Sequence, residues 1–148
     1  MKLLLTAIVN RSPDKSFAAL TDLYQSRIAA YSAVESVFFR SEKNFFDWID
    51  KQRSRMIPLS VFLDSRGKPF SSEQLAEWLG KLRDQGQQAI VFAIGPADGW
   101  SEEARKRANL LLSLGPMTLP HELARVVLSE QIYRAFTILS GHPYHTGH

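Results

Sequence analysis

The fold class of this chain is decided by one stretch, Ala89-Ile90-Val91-Phe92-Ala93-Ile94, which Gly95-Pro96-Ala97-Asp98-Gly99 follows directly. Six apolar residues in a row, without polar alternation, predict a strand that is buried on both faces of a sheet. The glycine loop after them predicts the end of that strand. Strands buried on both faces belong to parallel sheets that helices cover on either side. The stretch therefore predicts an α/β fold with this strand at its centre.

Strand and helix patterns alternate outward from this central strand to both ends of the chain. Further strands are predicted at residues 3–9, 33–39, 58–63 and 110–112. A helix is predicted to begin at Ser12-Pro13, and further helices are predicted at 42–55, 71–85, 101–108 and 120–139. A Ser71-x-x-Gln74 capping box marks the start of the helix at 71–85. Residues 64–69 are interpreted as a turn-rich loop. Together the pattern predicts a mainly parallel sheet of five or six strands with helices on both faces.

The composition is that of an ordinary globular domain. Of the 148 residues, 45% are hydrophobic and 22% are charged, which excludes a wholly disordered chain and predicts one domain over residues 1–148. The absence of cysteine excludes disulfides, thiolate metal sites and cysteine nucleophiles, and it suits the cytoplasm. The apolar run at 3–9 is too short to span a bilayer and lacks a small-residue cleavage site, so we interpret it as a strand and predict no membrane partner.

Positive charge is concentrated in the first half of the chain. The net charge is +3, and residues 1–70 hold 11 basic and 7 acidic side chains, whereas residues 71–148 hold 7 and 8. The predicted helix at 42–55 carries a basic face of Lys43, Lys51, Arg53 and Arg55. That face is either a solvated surface or a nucleic-acid footprint.

Several familiar catalytic motifs are missing from the sequence. It contains no G-x-G-x-x-G after the first strand, no G-x-x-x-x-G-K-[ST] and no G-x-S-x-G, which argues against a dinucleotide fold, a P-loop and a nucleophile elbow. His142, His145 and His148 recur every third residue, a spacing that could bind a metal on a helix. Pro143 argues against a helix there, so we predict no metal site.

Three loops lie where ligands of parallel sheets bind, outside the carboxyl ends of strands. They follow Leu63, begin at Gly95 and follow Leu112. Gly95 and Gly115 either only end their strands or let the backbone approach a ligand closely. The loop at 114–119 has mostly apolar side chains, so its hydrogen bonds would come from backbone groups. Such a loop suits an adenine ring.

The C-terminal third contains three distinctive segments: Thr118-Leu119-Pro120-His121-Glu122-Leu123-Ala124-Arg125-Val126, Ser129-Glu130-Gln131-Ile132-Tyr133-Arg134-Ala135 and His142-Pro143-Tyr144-His145. In these segments the chain resembles the RlmH family, small bacterial ribosomal RNA methyltransferases of the SPOUT class. Upstream, Phe62-Leu63-Asp64 with Gly67-Lys68-Pro69 is similar to that family's L-D-x-x-G-K segment, and Ile94-Gly95 to the start of its I-G-G loop. The resemblance is clear over residues 58–148 and general over residues 10–57.

The resemblance implies a fold, a cofactor and an oligomeric state. The fold would be a SPOUT domain whose C-terminal segment forms a deep trefoil knot, and the active unit would be a homodimer whose site the partner chain completes. S-adenosylmethionine would be held by Leu63, Gly95, Leu114, Gly115, Pro116, Met117, Thr118 and Leu119. Pro96 replaces the family's second glycine and has no backbone N–H, so no contact is carried over to it.

The activity that the resemblance implies is methylation of N3 of a pseudouridine in 23S ribosomal RNA. Arg134, Tyr144 and His145 are the candidate catalytic residues. Arg134 would hold a phosphate or stabilise negative charge on the base, Tyr144 would stack on a flipped base, and His145 would take up the N3 proton. In the alternative interpretation, Tyr144 and His145 only order the dimer interface, and Arg134 only pairs with Glu130. His121 is expected to cap or pack at the start of the last helix.

Two other functions stay open on the sequence alone. The chain could be a SPOUT methyltransferase that acts on transfer RNA, or a non-enzymatic α/β module that binds a nucleotide. Its modest charge and the lack of an added RNA-binding domain favour the assembled ribosome as substrate over naked RNA.

Overall fold

One five-stranded sheet forms the centre of the computed structural model, which describes residues 1–146. Its strands are β1 (Lys2–Ile8), β2 (Ala33–Phe39), β3 (Leu59–Pro69), β4 (Ala89–Ile94) and β5 (Leu110–Ser113). The helices that alternate with them are α1 (Lys15–Ile28), α2 (Glu42–Gln52), α3 (Ser72–Asp84), α4 (Glu102–Arg107) and α5 (His121–Ser140). The predicted alternation of strands and helices is confirmed.

All neighbouring strands of the sheet run parallel, in the order β2-β1-β4-β3-β5. β4 is the middle strand, and all of its residues are buried. Because helices cover both faces, a central strand needs apolar side chains in both directions, which explains its unbroken apolar run. The parallel sheet, its five strands and the central place of residues 89–94 confirm the predicted α/β class.

Helices cover the sheet in two layers, each with its own core. On one face, α1, α3 and α5 bury a cluster that includes Ile28, Leu79 and Ile132. On the other face, α2 and α4 bury a cluster that includes Phe45 and Ala104. Within residues 1–146, no helix combines the length and the apolar character that a membrane crossing requires.

The first helix begins later than the sequence predicts. Asp14, not Ser12, is its N-cap, and the Asp14 side chain accepts a hydrogen bond from the Ser16 amide at 2.9 Å. Both residue types can cap a helix, so the sequence alone did not separate them. A distant contact favours Asp14, because its own amide donates to Glu122 of α5 at 2.7 Å. By contrast, the capping box of Ser71 and Gln74 is present as predicted.

The predicted loop at 64–69 is wrong, because these residues continue strand β3. Leu63 and Lys68 both pair with Leu112, so the chain between them bulges out of the sheet and then returns to β5. Gly67 lies in this bulge, where a Cβ atom would come within 2.5 Å of the Leu111 carbonyl oxygen. The local sequence of these residues favours a turn, but their long-range pairing with β5 makes them part of a strand.

Candidate functional site

A cavity of about 170 Å³ lies at the carboxyl ends of β4 and β5, beside the point after Leu63 where β3 bulges out of the sheet. It is the place that a parallel sheet offers to a ligand. Of the eight predicted cofactor residues, the structure brings seven together in its wall: Leu63, Gly95, Leu114, Gly115, Met117, Thr118 and Leu119. Pro116 is exposed and is not one of the lining residues.

Trp100 is a wall residue that the sequence did not single out. Its indole Nε1 donates a hydrogen bond to the Leu63 carbonyl oxygen at 3.0 Å, and its ring stacks on Phe62 with centroids 4.4 Å apart. A Cβ atom on Gly95 would lie 2.6 Å from this indole. Gly95 is therefore required by close packing against Trp100, and the two residues connect the end of β4 to β3 at Leu63. An aromatic residue between a glycine loop and a serine helix cap is the signal that could have revealed it.

Gly115 is required for a different reason, which is its backbone conformation. Its φ angle is 126°, in the region that residues with a side chain rarely adopt. The Ser113 hydroxyl accepts a hydrogen bond from the Gly115 amide and donates one to the Gly115 carbonyl, both at 3.1 Å. Nothing lies within 4 Å of the position that a Gly115 side chain would take. The glycine thus leaves open space beside a loop that Ser113 holds in place.

His121 connects the first turn of α5 to the loop after β4. Its Nε2 lies in hydrogen-bond contact with the Gly95 carbonyl oxygen, and since a carbonyl only accepts, Nε2 carries the proton. The ring also lines the cavity. The expectation that His121 packs at the helix start is confirmed, and its contact shows that it also positions the Gly95 loop.

Asp64 places a carboxylate in the cavity wall beside two arginines. Its side chain is 6% exposed, and Arg105 Nε approaches it at 2.9 Å. Burial acts to raise the pKa of the Asp64 carboxyl, but hydrogen bonds from Arg66 and the charges of Arg66 and Arg105 outweigh it, and that pKa lies below its ordinary value. Asp64 therefore stays ionised and fixes the outer end of the bulge in β3.

The three candidate catalytic residues meet around Glu130 on α5. One Glu130 carboxylate oxygen accepts from Arg134 Nη2 at 2.7 Å and from the Tyr144 hydroxyl at 3.1 Å. Arg134 Nη1 lies 2.9 Å from His145 Nδ1, and His145 Nε2 lies 2.7 Å from a carboxylate oxygen of Glu73. The side chains of Arg134 and Glu130 are only 12% and 16% exposed. The predicted pairing of Arg134 with Glu130 is present, and it belongs to a larger network.

The network fixes the protons that its members carry. A guanidinium only donates, so His145 Nδ1 accepts from Arg134 and the imidazole proton sits on Nε2, facing Glu73. Burial, together with the hydrogen bond to Glu130, raises the pKa of Tyr144 to about 12. The Tyr144 hydroxyl therefore keeps its proton at neutral pH and acts as a donor.

The network around Glu130 and the cavity lie at different places along α5. His121 opens that helix at the cavity, and Arg134 lies near its other end. The rise of an α-helix, about 1.5 Å per residue, puts their Cα atoms about 20 Å apart. One chain therefore does not bring its predicted cofactor residues and its predicted catalytic residues together.

The histidines of the tail that the structure describes, His142 and His145, form hydrogen bonds within the protein. His142 Nδ1 accepts a hydrogen bond from the Tyr144 amide at 3.1 Å, and His145 lies between Arg134 and Glu73. The third histidine of the predicted spacing, His148, lies outside the described residues. Among residues 1–146, no three histidine, aspartate or glutamate side chains are grouped as a metal ion requires.

The family described as "Predicted SPOUT methyltransferase" matches residues 1–145, and the chain belongs to it. It is therefore a methyltransferase, and S-adenosylmethionine is its cofactor. This membership confirms the resemblance drawn from the C-terminal motifs.

Individual proteins similar to this chain are named ribosomal RNA large subunit methyltransferase H. The protein of that name from Koribacter versatilis is 49% identical over 140 residues, which cover 95% of each chain. The one from Rhodospirillum centenum is 59% identical over 85 residues, 57% of this chain and 56% of that relative.

Solved structures share the fold at low sequence identity. A probable methylase family protein from Haemophilus influenzae matches 97% of this chain and 69% of its own with a TM-score of 0.56 at 9% identity. The SpoU methyltransferase AviRb from Streptomyces viridochromogenes, solved in complex with AdoMet, matches 89% of this chain and 56% of its own with a TM-score of 0.50 at 13% identity. Both support the fold alone.

Proposed function

We propose that this protein methylates N3 of a pseudouridine in 23S ribosomal RNA, on the assembled ribosome in the cytoplasm. The observation that carries the proposal is the match to a ribosomal RNA large subunit methyltransferase H over 95% of both chains. The seven predicted cofactor residues that line one cavity support it independently of the relatives' names. SPOUT membership also supports the predicted trefoil knot.

The chemistry of the cavity wall fits S-adenosylmethionine. Leu114, Met117 and Leu119 supply apolar contacts for an adenine ring, and backbone groups of the 114–119 loop would supply hydrogen bonds for its edge. The open space beside Gly115 leaves room for a ligand to approach the backbone. The bound cofactor supplies an electrophilic methyl group, and the chain's own residues must position the base and remove its N3 proton.

The separation along α5 supports a homodimer with a shared site. Arg134 lies about 20 Å from His121 on the same helix, and in the proposed dimer a second chain brings its own network to the cavity. Exposed apolar side chains support such a contact: Leu20 and Leu23 of α1 are 43% and 42% exposed. An isologous dimer would contain two such composite sites. Sedimentation at micromolar concentration should give twice the chain mass.

The hydrogen bonds around Arg134 suggest how the proton moves. Arg134 occupies the Nδ1 lone pair of His145 in the free chain. When Arg134 turns to a uracil carbonyl, it stabilises the negative charge that develops there and frees that lone pair for the N3 proton. Glu73, on the other side of the ring, stabilises the imidazolium that results. Tyr144 packs against Tyr133 with centroids 4.7 Å apart and offers a ring beside the base.

The experiment that tests this function compares substrates. Ribosomes from a strain that lacks the modification are incubated with the protein and radiolabelled S-adenosylmethionine, and bulk transfer RNA is the parallel substrate. Label in 23S RNA, located at N3 of a pseudouridine by mass spectrometry, is the expected result. Label in transfer RNA alone would make the chain a transfer RNA methyltransferase, and cofactor binding without transfer to either RNA would make it a binding module.

A further inference from the structure

A second hollow, of about 250 Å³, lies at the carboxyl ends of β1 and β2, on the same edge of the sheet as the cofactor cavity. We call it the arginine groove and define it by Val9, Arg11, Pro13, Phe38 and Arg40, which all line it. Resting on the proposed function, we propose that this groove binds the backbone of the RNA that flanks the target base, with Arg11 and Arg40 contacting its phosphates.

A narrow hollow lies between the arginine groove and the cofactor cavity. This hollow shares Ile94 and His121 with the cavity, and Val9, Pro13 and Phe38 with the groove. The groove ends at β2, two strands from β4, which is about 10 Å at the usual strand spacing. A polynucleotide with one base at the cavity covers that distance within a few nucleotides.

The charge of the groove suits a polyanion. Arg11 and Arg40 are exposed, and within residues 1–146 neither has an ion pair. By contrast, Arg66, Arg105 and Arg107 all lie within 4 Å of a carboxylate. No acidic side chain lines the groove in the described part of the chain. Two guanidiniums without an ion pair in one groove suit phosphates, because their planar forks match phosphate oxygens.

Two carboxylates near the groove accept backbone amides, and within residues 1–146 neither forms an ion pair with Arg11 or Arg40. Asp14 accepts the Ser16 amide as the cap of α1, and Glu122 accepts the Asp14 amide at 2.7 Å. A third guanidinium, that of Arg125, donates to the Ser36 hydroxyl at 3.3 Å and lies 4.4 Å from the centre of the Phe38 ring.

Phe38 adds a stacking surface to the groove. It is 42% exposed, which is unusual for a phenylalanine in a strand, and it stands in the wall that joins the groove to the narrow hollow. Exposed aromatic rings beside arginines are the combination that single-stranded RNA sites use, since bases stack on the ring while phosphates meet the charges.

The test replaces both groove arginines and compares this variant with a control variant, in which two arginines near the amino ends of the strands are replaced. Arg11→Gln with Arg40→Gln is the groove variant. Arg53→Gln with Arg55→Gln is the control, because both residues are exposed, follow α2 and lie toward the amino ends of the strands. Binding to unmodified ribosomes is measured from 50 to 300 mM salt, and S-adenosylmethionine affinity is measured by calorimetry.

We expect the groove variant to bind ribosomes at least tenfold more weakly and its slope of log affinity against log salt to shrink by about 1.4 to 1.8, the amount for two phosphate contacts. Cofactor affinity should be unchanged, which also shows that the variant is folded. Equal ribosome binding by the groove variant and the unaltered protein would overturn the proposal, as would a loss confined to the control. A wild-type chain that methylates transfer RNA alone would overturn the proposed function. The same salt series on transfer RNA would then show whether the arginine groove binds the RNA backbone.

Discussion

Replacing Gly95 with alanine should damage the cofactor cavity through one neighbour, Trp100. The added Cβ would lie 2.6 Å from the indole, so the ring must move by roughly 0.8 Å to reach an ordinary 3.4 Å contact. That movement strains the hydrogen bond from Trp100 to the Leu63 carbonyl and the stack on Phe62. Overpacking of this kind costs about 1 to 3 kcal/mol.

The expected readouts are stability and cofactor affinity. For a chain of this size, a loss of about 1 to 3 kcal/mol lowers the melting temperature by roughly 3 to 9 °C. Since Leu63 and Gly95 both line the cavity, S-adenosylmethionine should bind at least tenfold more weakly, about 1.4 kcal/mol. Thermal unfolding followed by circular dichroism and isothermal titration measure the two effects.

A matched glycine provides the control for this experiment. Gly80 lies in α3, and the three heavy atoms nearest to a Cβ there all belong to the flexible end of Leu139, the closest at 2.9 Å. Gly80→Ala should therefore leave cofactor affinity unchanged while its melting temperature moves little. If Gly95→Ala binds the cofactor as tightly as the unaltered protein does, the tight packing of Gly95 on Trp100 does not shape the cofactor site.

Three further predictions concern the loop after β5 and the tail. Gly115→Val should weaken S-adenosylmethionine binding tenfold or more, because valine tolerates the φ of 126° poorly and its side chain fills the open space; unchanged titration curves would place the cofactor elsewhere. Deleting residues 142–148 should abolish methylation in a single-turnover assay on ribosomes while cofactor affinity holds, and equal rates would make the tail structural. The Tyr144 pKa of about 12 lies above the ordinary value of 10.0, so its proton is held more tightly in the folded chain. The stability it adds is full below pH 10 and is lost as the pH rises toward 12. The difference in absorbance at 295 nm between the unaltered protein and Tyr144→Phe should show that titration, and a midpoint near 10 would contradict the contact with Glu130.

Features set by local sequence could be predicted. The apolar run of β4 requires burial on both sides, and the capping box of Ser71 and Gln74 is complete within four residues. The position of the cavity could also be predicted, because the carboxyl ends of parallel strands meet at one edge. For that reason the sequence predicts that the loops at Leu63, Gly95 and 114–119 lie together.

Features set by long-range contacts could not be predicted. The pairing of Lys68 with Leu112 extends β3 through residues that favour a turn, and the contact of Glu122 with Asp14 selects one of two possible helix caps. Trp100 reads as an ordinary loop aromatic until its indole is found against Gly95. The Arg134 network could be expected as a group, but its distance from the cavity depends on the helix that joins them.

The most direct test of the account is complementation between two inactive variants. Gly115→Val should disable the cofactor cavity and Arg134→Ala the catalytic network, so each homodimer should be inactive on ribosomes. In a mixed dimer, the cavity of the Arg134→Ala chain meets the intact network of the Gly115→Val chain and forms one working site. Equal mixing and re-association should therefore restore about a quarter of the unmixed wild-type activity, since half of the dimers are mixed and each has one site of two. Mixtures no more active than the separate variants would contradict a site shared between two chains.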